Sequence, residues 1–286
     1  MDVFNLPNDI FPAWQKPDSG ITIHHYTAQS IALKEMAVLR TNVVSLVIRG
    51  NKTMHFLNGT VNVQDSEIHI LSAGNCIASV SLSKPFESIL IFFDSSVLSD
   101  FCLAHNDLIE KLKIKLNTSA ESYVAFKKDG FIRNYIESLL LMLTGTAGLS
   151  ESMKQLKLQE LLLYLLENHT GTFLSFQSTE KPRDIEWRIR KVIEANKLNN
   201  LNLDELAFLC NMSTSTFKRH FKQIYSSSPT QWLNEQKMLM AYKLLNEQGE
   251  KPGDIWFQLG FETHTGFTRS FKKRFGRLPK ELTLKN

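Results

Sequence analysis

Two runs of residues in the last third of the chain repeat the same residue types at the same spacing. Phe217 and Phe221 in the first run are matched by Phe267 and Phe271 in the second, each fifty residues later. Aromatic residues four apart share one face of a helix, so the opposite face is left to hydrogen-bond donors. Those donors are Ser215, Lys218, Arg219 and Lys222 in the first run, and Thr265, Thr268, Arg269 and Lys272 in the second. An apolar anchor on one side and donors on the other is what a helix needs to read DNA.

The donors match the groups that a DNA duplex presents. Arg219 and Arg269 can each pair bidentately with the edge of a guanine. Lys218 and the serine and threonine hydroxyls of the two stripes can reach bases or phosphates, whereas Lys222 and Lys272 are expected to contact phosphates. These residues are therefore the predicted DNA-binding side chains.

Each run also opens with a residue that can cap a helix. Ser213 and Thr263 carry hydroxyl groups that can accept a hydrogen bond from the first turn. The backbone amides just inside these helix starts, at Thr214 and His264, suit a phosphate group. We therefore add a phosphate contact near each helix start, with His264 among the predicted DNA-binding residues.

A shorter helix and a turn precede each run, which predicts two helix-turn-helix motifs. The first has a helix over Leu203–Leu209 and Asn211 at its turn, and the second has a helix over Asp254–Leu259 and Gly260 at its turn. A helix over Thr230–Glu247 connects them. Two motifs on one rigid connector can place two helices in successive major grooves, ~34 Å apart on one face of the duplex.

The charge of the chain is concentrated where these motifs lie. At 286 residues the chain has room for two domains, and its 43% hydrophobic and 22% charged residues are ordinary for a globular protein. From Asp184 onward it carries 17 basic and 11 acidic residues, a net charge of +6, whereas the rest has a net charge of −2. A basic region of this kind favours a nucleic-acid partner.

Composition also sets the expected compartment. The three cysteines, Cys76, Cys102 and Cys210, have neither disulfide-framework nor zinc spacing. The start of the sequence does not have the pattern of a signal peptide, and the apolar runs are shorter than the ~20 residues of a membrane span. We therefore expect a cytoplasmic protein with no membrane partner.

The N-terminal part of the chain predicts short strands followed by helices, and hence an α+β protein. Short β-branched and aromatic runs up to about Phe93 indicate a small antiparallel barrel or sandwich, with Phe86–Phe93 as its most buried strand. Helical spacing then appears over Phe131–Leu143 and Met153–Leu166. The predicted domains are a cupin-like regulatory or dimerisation domain (residues 1–168), a polar linker (169–183) and an all-α DNA-binding domain (184–286).

The second of these N-terminal helices is more apolar than a surface helix needs to be. Its stripe of Leu158, Leu161, Leu162 and Leu165 is extended by further leucines on other faces. One interpretation is packing against the barrel, and the other is a homodimer interface through the helices of residues 131–166. Both interpretations are compatible with the pattern.

A barrel of this type can also hold a metal, which makes the histidines of the N-terminal part candidate ligands. His24, His25, His55 and His69 do not form a His-x-His pair followed by a glutamate, and no nucleophile–base arrangement has a recognisable context. We expect no catalytic residue, no metal and no cofactor. The alternatives are a cupin-type metal-dependent enzyme or small-molecule-binding protein with a degenerate DNA-binding domain, and an architectural DNA binder without sequence preference.

The segment Leu203–Leu282 resembles the AraC/XylS-type transcriptional regulators. The shared landmarks are Asp204 to Ala207, Met212 to Lys222, Leu259 to Phe261, Phe267 to Lys272, and Arg274 to Pro279. The N-terminal two-thirds are similar in layout only, and the whole layout looks most like the branch that includes type III secretion and virulence regulators. The resemblance implies base contacts at Ser215, Lys218, Arg219, Thr265 and Arg269.

The resemblance further implies a sequence-specific transcriptional regulator, more specifically an activator, that works with RNA polymerase. Its N-terminal domain would bind a small-molecule effector or a regulatory protein, or would only dimerise. The polar residues expected near the barrel mouth are Arg49, Lys52 and His55. Two residues depart from the family pattern: Trp256 replaces a small alanine, and Gly266 lies inside the second reading helix, where glycine is less favourable than alanine by up to ~1 kcal/mol.

Overall fold

The chain divides into two compact units, residues 1–182 and residues 183–286. A computed structural model describes residues 3–9, 11, 19–28, 34–57, 59–80, 85–112, 121, 123–145, 148–177 and 184–283. We call the two parts the N-terminal unit and the C-terminal unit. No helix among these described residues is both long enough and apolar enough to cross a membrane.

The N-terminal unit contains ten strands in two five-stranded sheets within the described residues. In spatial order the first sheet is β1 (Val3–Leu6), β3 (Glu35–Leu39), β8 (Gly74–Val80), β5 (Asn51–Phe56) and β6 (Gly59–Gln64). The second is β10 (Tyr123–Lys127), β7 (Glu67–Leu71), β4 (Asn42–Arg49), β9 (Phe86–Phe93) and β2 (Ile21–Ala28). All neighbouring strands are antiparallel except β1 and β3, which run parallel.

The two sheets share an apolar layer. Val43 and Val47 of β4 belong to it, together with Met54 of β5 and Val63 of β6. Successive side chains of a strand point to opposite faces, so Val44 of the same strand β4 lies in a different cluster. Strand β9 is confirmed as a buried strand, with seven of its eight residues buried.

The predicted α+β class is confirmed, but the β-structure is not one closed barrel. Within the described residues no hydrogen-bonded strand pair joins the two sheets. Instead, apolar side chains from both sheets meet in one layer, which covers both inner faces without closing the hydrogen-bonded ladder.

Within the described residues, the N-terminal unit also has five helices, which cover the other face of the second sheet. They are α1 (Ser95–Ala104), α2 (Asn106–Leu112), α3 (Gly130–Leu143), α4 (Glu151–Asn168) and α5 (Thr170–Gln177). The Asp129 carboxylate caps α3 by accepting from the Ile132 amide at 2.9 Å, and the Ser150 hydroxyl caps α4 by accepting from the Met153 amide at 3.3 Å. Apolar residues of the helices pack with those of the sheet in one cluster.

The leucine stripe of α4 packs inside this unit. Leu158, Leu161, Leu162 and Leu165 are all fully buried in the cluster between the sheet and the helices. Intradomain packing therefore accounts for the stripe. Other apolar residues of α3 and α4 remain exposed.

Part of the segment predicted as a linker is helical. Residues 170–177 form α5, whose Phe173 and Phe176 are buried in the same cluster, whereas residues 178–183 lie outside the described residues. The polar composition of this stretch favoured a linker, but its two phenylalanines have apolar surface to bury.

The C-terminal unit is all-helical within residues 184–283. Its helices are α6 (Ile185–Asn196), α7 (Leu203–Leu209), α8 (Thr214–Tyr225), α9 (Pro229–Glu247), α10 (Pro252–Gln258), α11 (His264–Phe275) and α12 (Lys280–Thr283). The predicted helices of both motifs, and the connecting helix, are confirmed to within two residues at each end. Near its start α9 places Trp232 against Phe221 of α8, with ring centroids 5.9 Å apart. Further along, Met238 and Leu245 of α9 pack with Phe267 of α11.

Candidate nucleic-acid interface

The turns of the two motifs have the same backbone geometry. Asn211 and Gly260 have φ values of 56° and 72°, and their amides donate to the Phe208 and Phe257 carbonyls at 2.8 and 2.9 Å. The next amide donates back into the shorter helix at 3.1 Å in both motifs. A positive φ suits glycine and is tolerated by asparagine, which explains why these two residue types stand at the turns.

Both reading helices begin and end in the same way. The hydroxyls of Ser213 and Thr263 accept from the amides of Thr216 and Gly266, at 3.3 and 3.1 Å. At the other ends, residues Ser226 and Gly276 adopt the left-handed conformation and close the last turns. The equal lengths of α8 and α11 therefore follow from matched start and stop signals fifty residues apart.

Aromatic anchors hold both reading helices against their own cores. Phe217 and Phe221 of α8 are fully buried, with ring centroids 5.6 Å apart. Phe267 and Phe271 of α11 are also fully buried, with ring centroids 5.9 Å apart. The spacing of four places each pair on one helix face, which leaves the opposite face outward.

The outward faces carry eight of the nine predicted DNA-binding residues in exposed positions. These are Ser215, Lys218, Arg219, Lys222, His264, Thr265, Arg269 and Lys272. Thr268 differs, because it is half-buried and its hydroxyl oxygen is shielded from solvent. That hydroxyl has no hydrogen-bond partner among the described residues.

The basic groups on these faces are not used in ion pairs within residues 184–283. Arg219 approaches only the neighbouring His220 ring, at 3.4 Å, and Lys218, Lys222, Arg269 and Lys272 form no ion pair there. By contrast, Arg190 pairs with Glu186 at 2.7 Å and Arg274 pairs with Glu235 at 2.6 Å. The reading faces thus keep their positive charge available to phosphates and base edges.

The two departures from the family pattern are accommodated in the second motif. Trp256 is half-buried, and its carbonyl accepts the turn hydrogen bond from the Phe261 amide at 3.1 Å. Gly266 lies in the first turn of α11, where its amide is already satisfied by the Thr263 cap. Helix α11 is therefore continuous from its start, despite the glycine.

Some contacts of this region have no signal in local spacing. The Thr214 hydroxyl donates to the Asp204 carboxylate at 2.6 Å, which ties the start of α8 to α7. The Lys237 ammonium of α9 donates to the Asn200 side chain at 3.3 Å. The partners of the second contact are 37 residues apart, so only the folded chain reveals it.

The three polar residues expected near the barrel mouth of the N-terminal unit differ from one another in their contacts and burial. Arg49 pairs with Glu87 at 2.6 Å, and His55 is 7% exposed with its Nδ1 2.9 Å from the Thr60 hydroxyl. Burial lowers the pKa of Lys52 to about 8, and its ammonium lies 4.5 Å from the Phe86 ring centroid. Among the described residues, no group of three or more His, Cys, Asp or Glu residues could hold a metal ion.

Two exposed basic helices, each packed against the shorter helix that precedes its turn, define a DNA-binding protein with two helix-turn-helix motifs. Residues 206–284 match the model of a helix-turn-helix domain family, and residues 42–176 match the model of the ExsA N-terminal regulatory domain. The virulence regulon transcriptional activator VirF of Yersinia enterocolitica is 25% identical over 84% of this chain and 88% of its own length.

Two further relatives cover a similar extent. The thermoregulatory protein LcrF of Yersinia pestis is 25% identical over 84% of this chain and 88% of its own length. The transcriptional regulator ExsA of Pseudomonas aeruginosa is 24% identical over 86% of this chain and 87% of its own length. The structure of ToxT from Vibrio cholerae aligns with 93% of this chain and 98% of its own, at 12% identity and a TM-score of 0.39.

The chain belongs to the AraC/XylS family of transcriptional regulators. It binds DNA through its helix-turn-helix domain and is a regulator of transcription, not an enzyme.

Proposed function

We propose that the protein activates transcription by reading two successive major grooves with α8 and α11. The observation that carries the proposal is the pair of matched helices, each with buried phenylalanines on one face and unpaired basic residues on the other. Both helices pack on α9, which sets the distance between them. Adjacent major grooves on one face of a duplex are ~34 Å apart.

Within this reading mode, each predicted side chain has a distinct task. Arg219 and Arg269 pair with guanine edges, because guanidinium groups match the two acceptors of guanine. The other base contacts come from Ser215, Lys218 and Thr265. Lys222, Lys272 and the amide of His264 contact phosphates and set the register. The Thr268 hydroxyl contributes no DNA contact, since it is shielded from solvent.

Selection of bound fragments from a random DNA library, followed by footprinting, tests the two-groove proposal. We expect two protected patches, one helical turn apart, in the major groove. Arg219→Ala should weaken protection at one patch and Arg269→Ala at the other. A single patch that responds only to Arg219→Ala would show that the second motif does not read bases.

The activating role is inferred from relatives together with the DNA-binding domain. VirF is described as a virulence regulon transcriptional activator, and residues 206–284 of this chain match a helix-turn-helix domain family. We infer that the protein acts in the cytoplasm with RNA polymerase and regulates a comparable set of genes. In vitro transcription from the selected site should rise with added protein, and a fall would assign it as a repressor.

We also propose a homodimer through the exposed apolar residues of α3 and α4. Leu141 is 76% exposed, Leu156 is 60% exposed and Met153 is 37% exposed, although large apolar side chains are usually buried. Leu141 and Met153 also line a surface cavity of about 500 Å³. These residues fall within the segment 131–166 that the sequence indicated for dimerisation, but they are not its buried leucine stripe.

A small-molecule effector or a regulatory protein at the N-terminal unit stays a prediction. Lys52 supports it, because its half-buried side chain holds a positive charge over the Phe86 ring, where it would attract an anionic group. Titration of the protein with candidate ligands while DNA binding is monitored would detect an effector. An unchanged affinity for the selected site across all ligands would favour a unit that only dimerises or binds protein.

A further inference from the structure

A contact between the two helix-turn-helix motifs joins three segments of the C-terminal unit. Asn200 precedes α7 of the first motif, Lys237 lies in the middle of α9, and Phe261 follows Gly260 at the turn of the second motif. We call Asn200, Lys237, Gly260 and Phe261 the inter-motif bridge. It lies outside the two reading faces, and none of its residues is among the predicted DNA contacts.

The bridge is held by a hydrogen bond, a cation–π contact and the packing of a side chain on a glycine. The Lys237 ammonium donates to the Asn200 Oδ1 at 3.3 Å and lies 5.7 Å from the centroid of the Phe261 ring. A cation at this distance from an aromatic face is attracted by the ring. A Cβ added to Gly260 would overlap the Asn200 side chain, so Asn200 packs directly on the backbone of the second turn.

The bridge continues into the second reading helix. The ring of Phe261 packs against that of Phe267, with centroids 5.5 Å apart, and Phe267 is the first buried anchor of α11. On the other side, Asn200 is two residues from Asn202, which caps α7. A displacement of the first motif relative to α9 would therefore be passed to the start of α11.

We propose that the bridge positions the second reading helix relative to the first and so sets the spacing of the two half-sites that the protein accepts. This proposal rests on the two-groove reading above. Asn200 and Lys237 are thus positioning residues, which act on specificity without touching DNA. A bridge residue contributes to affinity because it limits the relative motion of the two motifs before DNA binds, so that binding loses less conformational entropy.

The test uses the full-length protein and three duplexes built from the DNA site that it selects. The first duplex is the selected site, the second has one base pair inserted between its half-sites, and the third has the second half-site scrambled. One inserted base pair shifts and rotates the second half-site by about a tenth of a helical turn. Affinities are measured by fluorescence anisotropy at one salt concentration.

The variants remove the bridge without forcing a new backbone conformation. Asn200 has a φ of 50°, so Asn200→Gly deletes the side chain at a position where glycine is favoured. Lys237→Met deletes the charge and keeps the aliphatic stem. Lys237→Arg keeps a cation and a donor, and Lys243→Ala removes an exposed lysine of α9 outside the bridge.

We expect Asn200→Gly and Lys237→Met to bind the selected site about five- to tenfold more weakly than the wild type does, because the second helix is less well oriented. Their preference for the selected site over the inserted site should fall by a similar factor. Binding to the scrambled site, which engages only the first motif, should be unchanged. Lys237→Arg and Lys243→Ala should behave as the wild type does.

Three results would overturn the proposal. Wild-type affinity and spacing preference in both bridge variants would show that the bridge sets nothing. An equal loss on all three duplexes would assign the effect to damaged folding of the first motif. If the wild type itself bound the selected and scrambled duplexes equally, two-groove reading would be wrong and the bridge would lose its role with it.

Discussion

At the scale of single residues, the DNA contacts of the reading helices depend on which basic side chains form no ion pair within the protein. Arg219 and Lys222 lie on the same exposed face of α8, but they are expected to meet different parts of DNA. Base edges differ between sequences, whereas phosphates do not. Substitutions at the two positions should therefore have distinguishable effects.

Arg219→Ala should weaken binding to the selected site by ~1–3 kcal/mol and relax preference at one base pair, since a bidentate contact to guanine is lost. Lys222→Ala should weaken binding to all sequences about equally and reduce the slope of log K against log salt by about 1. Anisotropy on specific and random duplexes over a salt series measures both effects. An Arg219→Ala variant with unchanged base preference would contradict the assigned register of α8.

A second residue-scale prediction concerns His69 in the N-terminal unit. Its side chain is fully buried, its ring nitrogens have no hydrogen-bond partner among the described residues, and the Glu67 carboxylate lies 3.9 Å away. Burial lowers the pKa of His69 to about 4, and the positive charges of Lys52 and Lys128 act in the same direction. The folded protein thus keeps this ring neutral at pH values where the unfolded chain, with a pKa near 6.5, already takes up a proton.

This difference predicts a loss of stability as pH falls from about 6.5 to about 4, by up to ~3 kcal/mol, because the unfolded state binds the extra proton. The thermal unfolding of the N-terminal unit, followed between pH 7.5 and 4.5, measures it. His69→Leu should flatten this part of the pH profile. A variant profile parallel to that of the wild type would assign the acid sensitivity to other groups.

At the scale of elements, the two reading helices should depend equally on their anchors. Phe221 and Phe271 are both fully buried and occupy matching positions in α8 and α11. Replacing either by alanine should destabilise its motif by ~3–5 kcal/mol, as expected for a buried phenylalanine. Chemical unfolding of the full-length protein measures the free energy of unfolding of the C-terminal unit.

Lys222→Ala is the matched control for these anchors, because Lys222 is exposed on α8 and should leave the free energy of unfolding nearly unchanged. A small effect of Phe271→Ala beside a large effect of Phe221→Ala would show that the second motif tolerates a looser core. Such a result would assign the energetic consequence of Trp256 and Gly266 to the packing of α11.

At the scale of the whole molecule, α4 presents different leucines to its own unit and to solvent. Leu161 is fully buried, whereas Leu156 is 60% exposed on the same helix. Leu156→Asp should therefore shift a dimer to monomer without lowering the unfolding temperature of the monomer. Leu161→Ala should instead destabilise the unit by ~2–5 kcal/mol.

Sedimentation equilibrium over a concentration series distinguishes these two outcomes. Concentration dependence in the wild type that disappears in Leu156→Asp would support the proposed interface. A wild-type protein that is monomeric at all concentrations would show that no dimer forms. A Leu156→Asp variant that remains dimeric would show that the dimer interface lies elsewhere.

Local residue patterns predicted the helices of the C-terminal unit almost to the residue. Capping residues, turn residues and aromatic pairs act through neighbours within about four positions, so their spacing predicts the backbone they produce. Repetition at an interval of fifty residues made that prediction stronger, because Ser213 and Thr263 begin matching helices with matching exposed faces. The exposed positions of Arg219 and Arg269 follow from the same periodicity.

Which surfaces meet could be seen only in the folded chain. Periodicity identified apolar faces of α4 but did not distinguish the buried Leu161 from a dimer contact, since both are apolar at helical spacing. The strand pattern also did not separate a cupin-like barrel from a sandwich, whereas the structure has two sheets that share an apolar layer. The burial of the Thr268 hydroxyl and the contact of Asn200 with Lys237 depend on segments distant in sequence. Such contacts are set by the packing of whole elements, which local residue patterns do not encode.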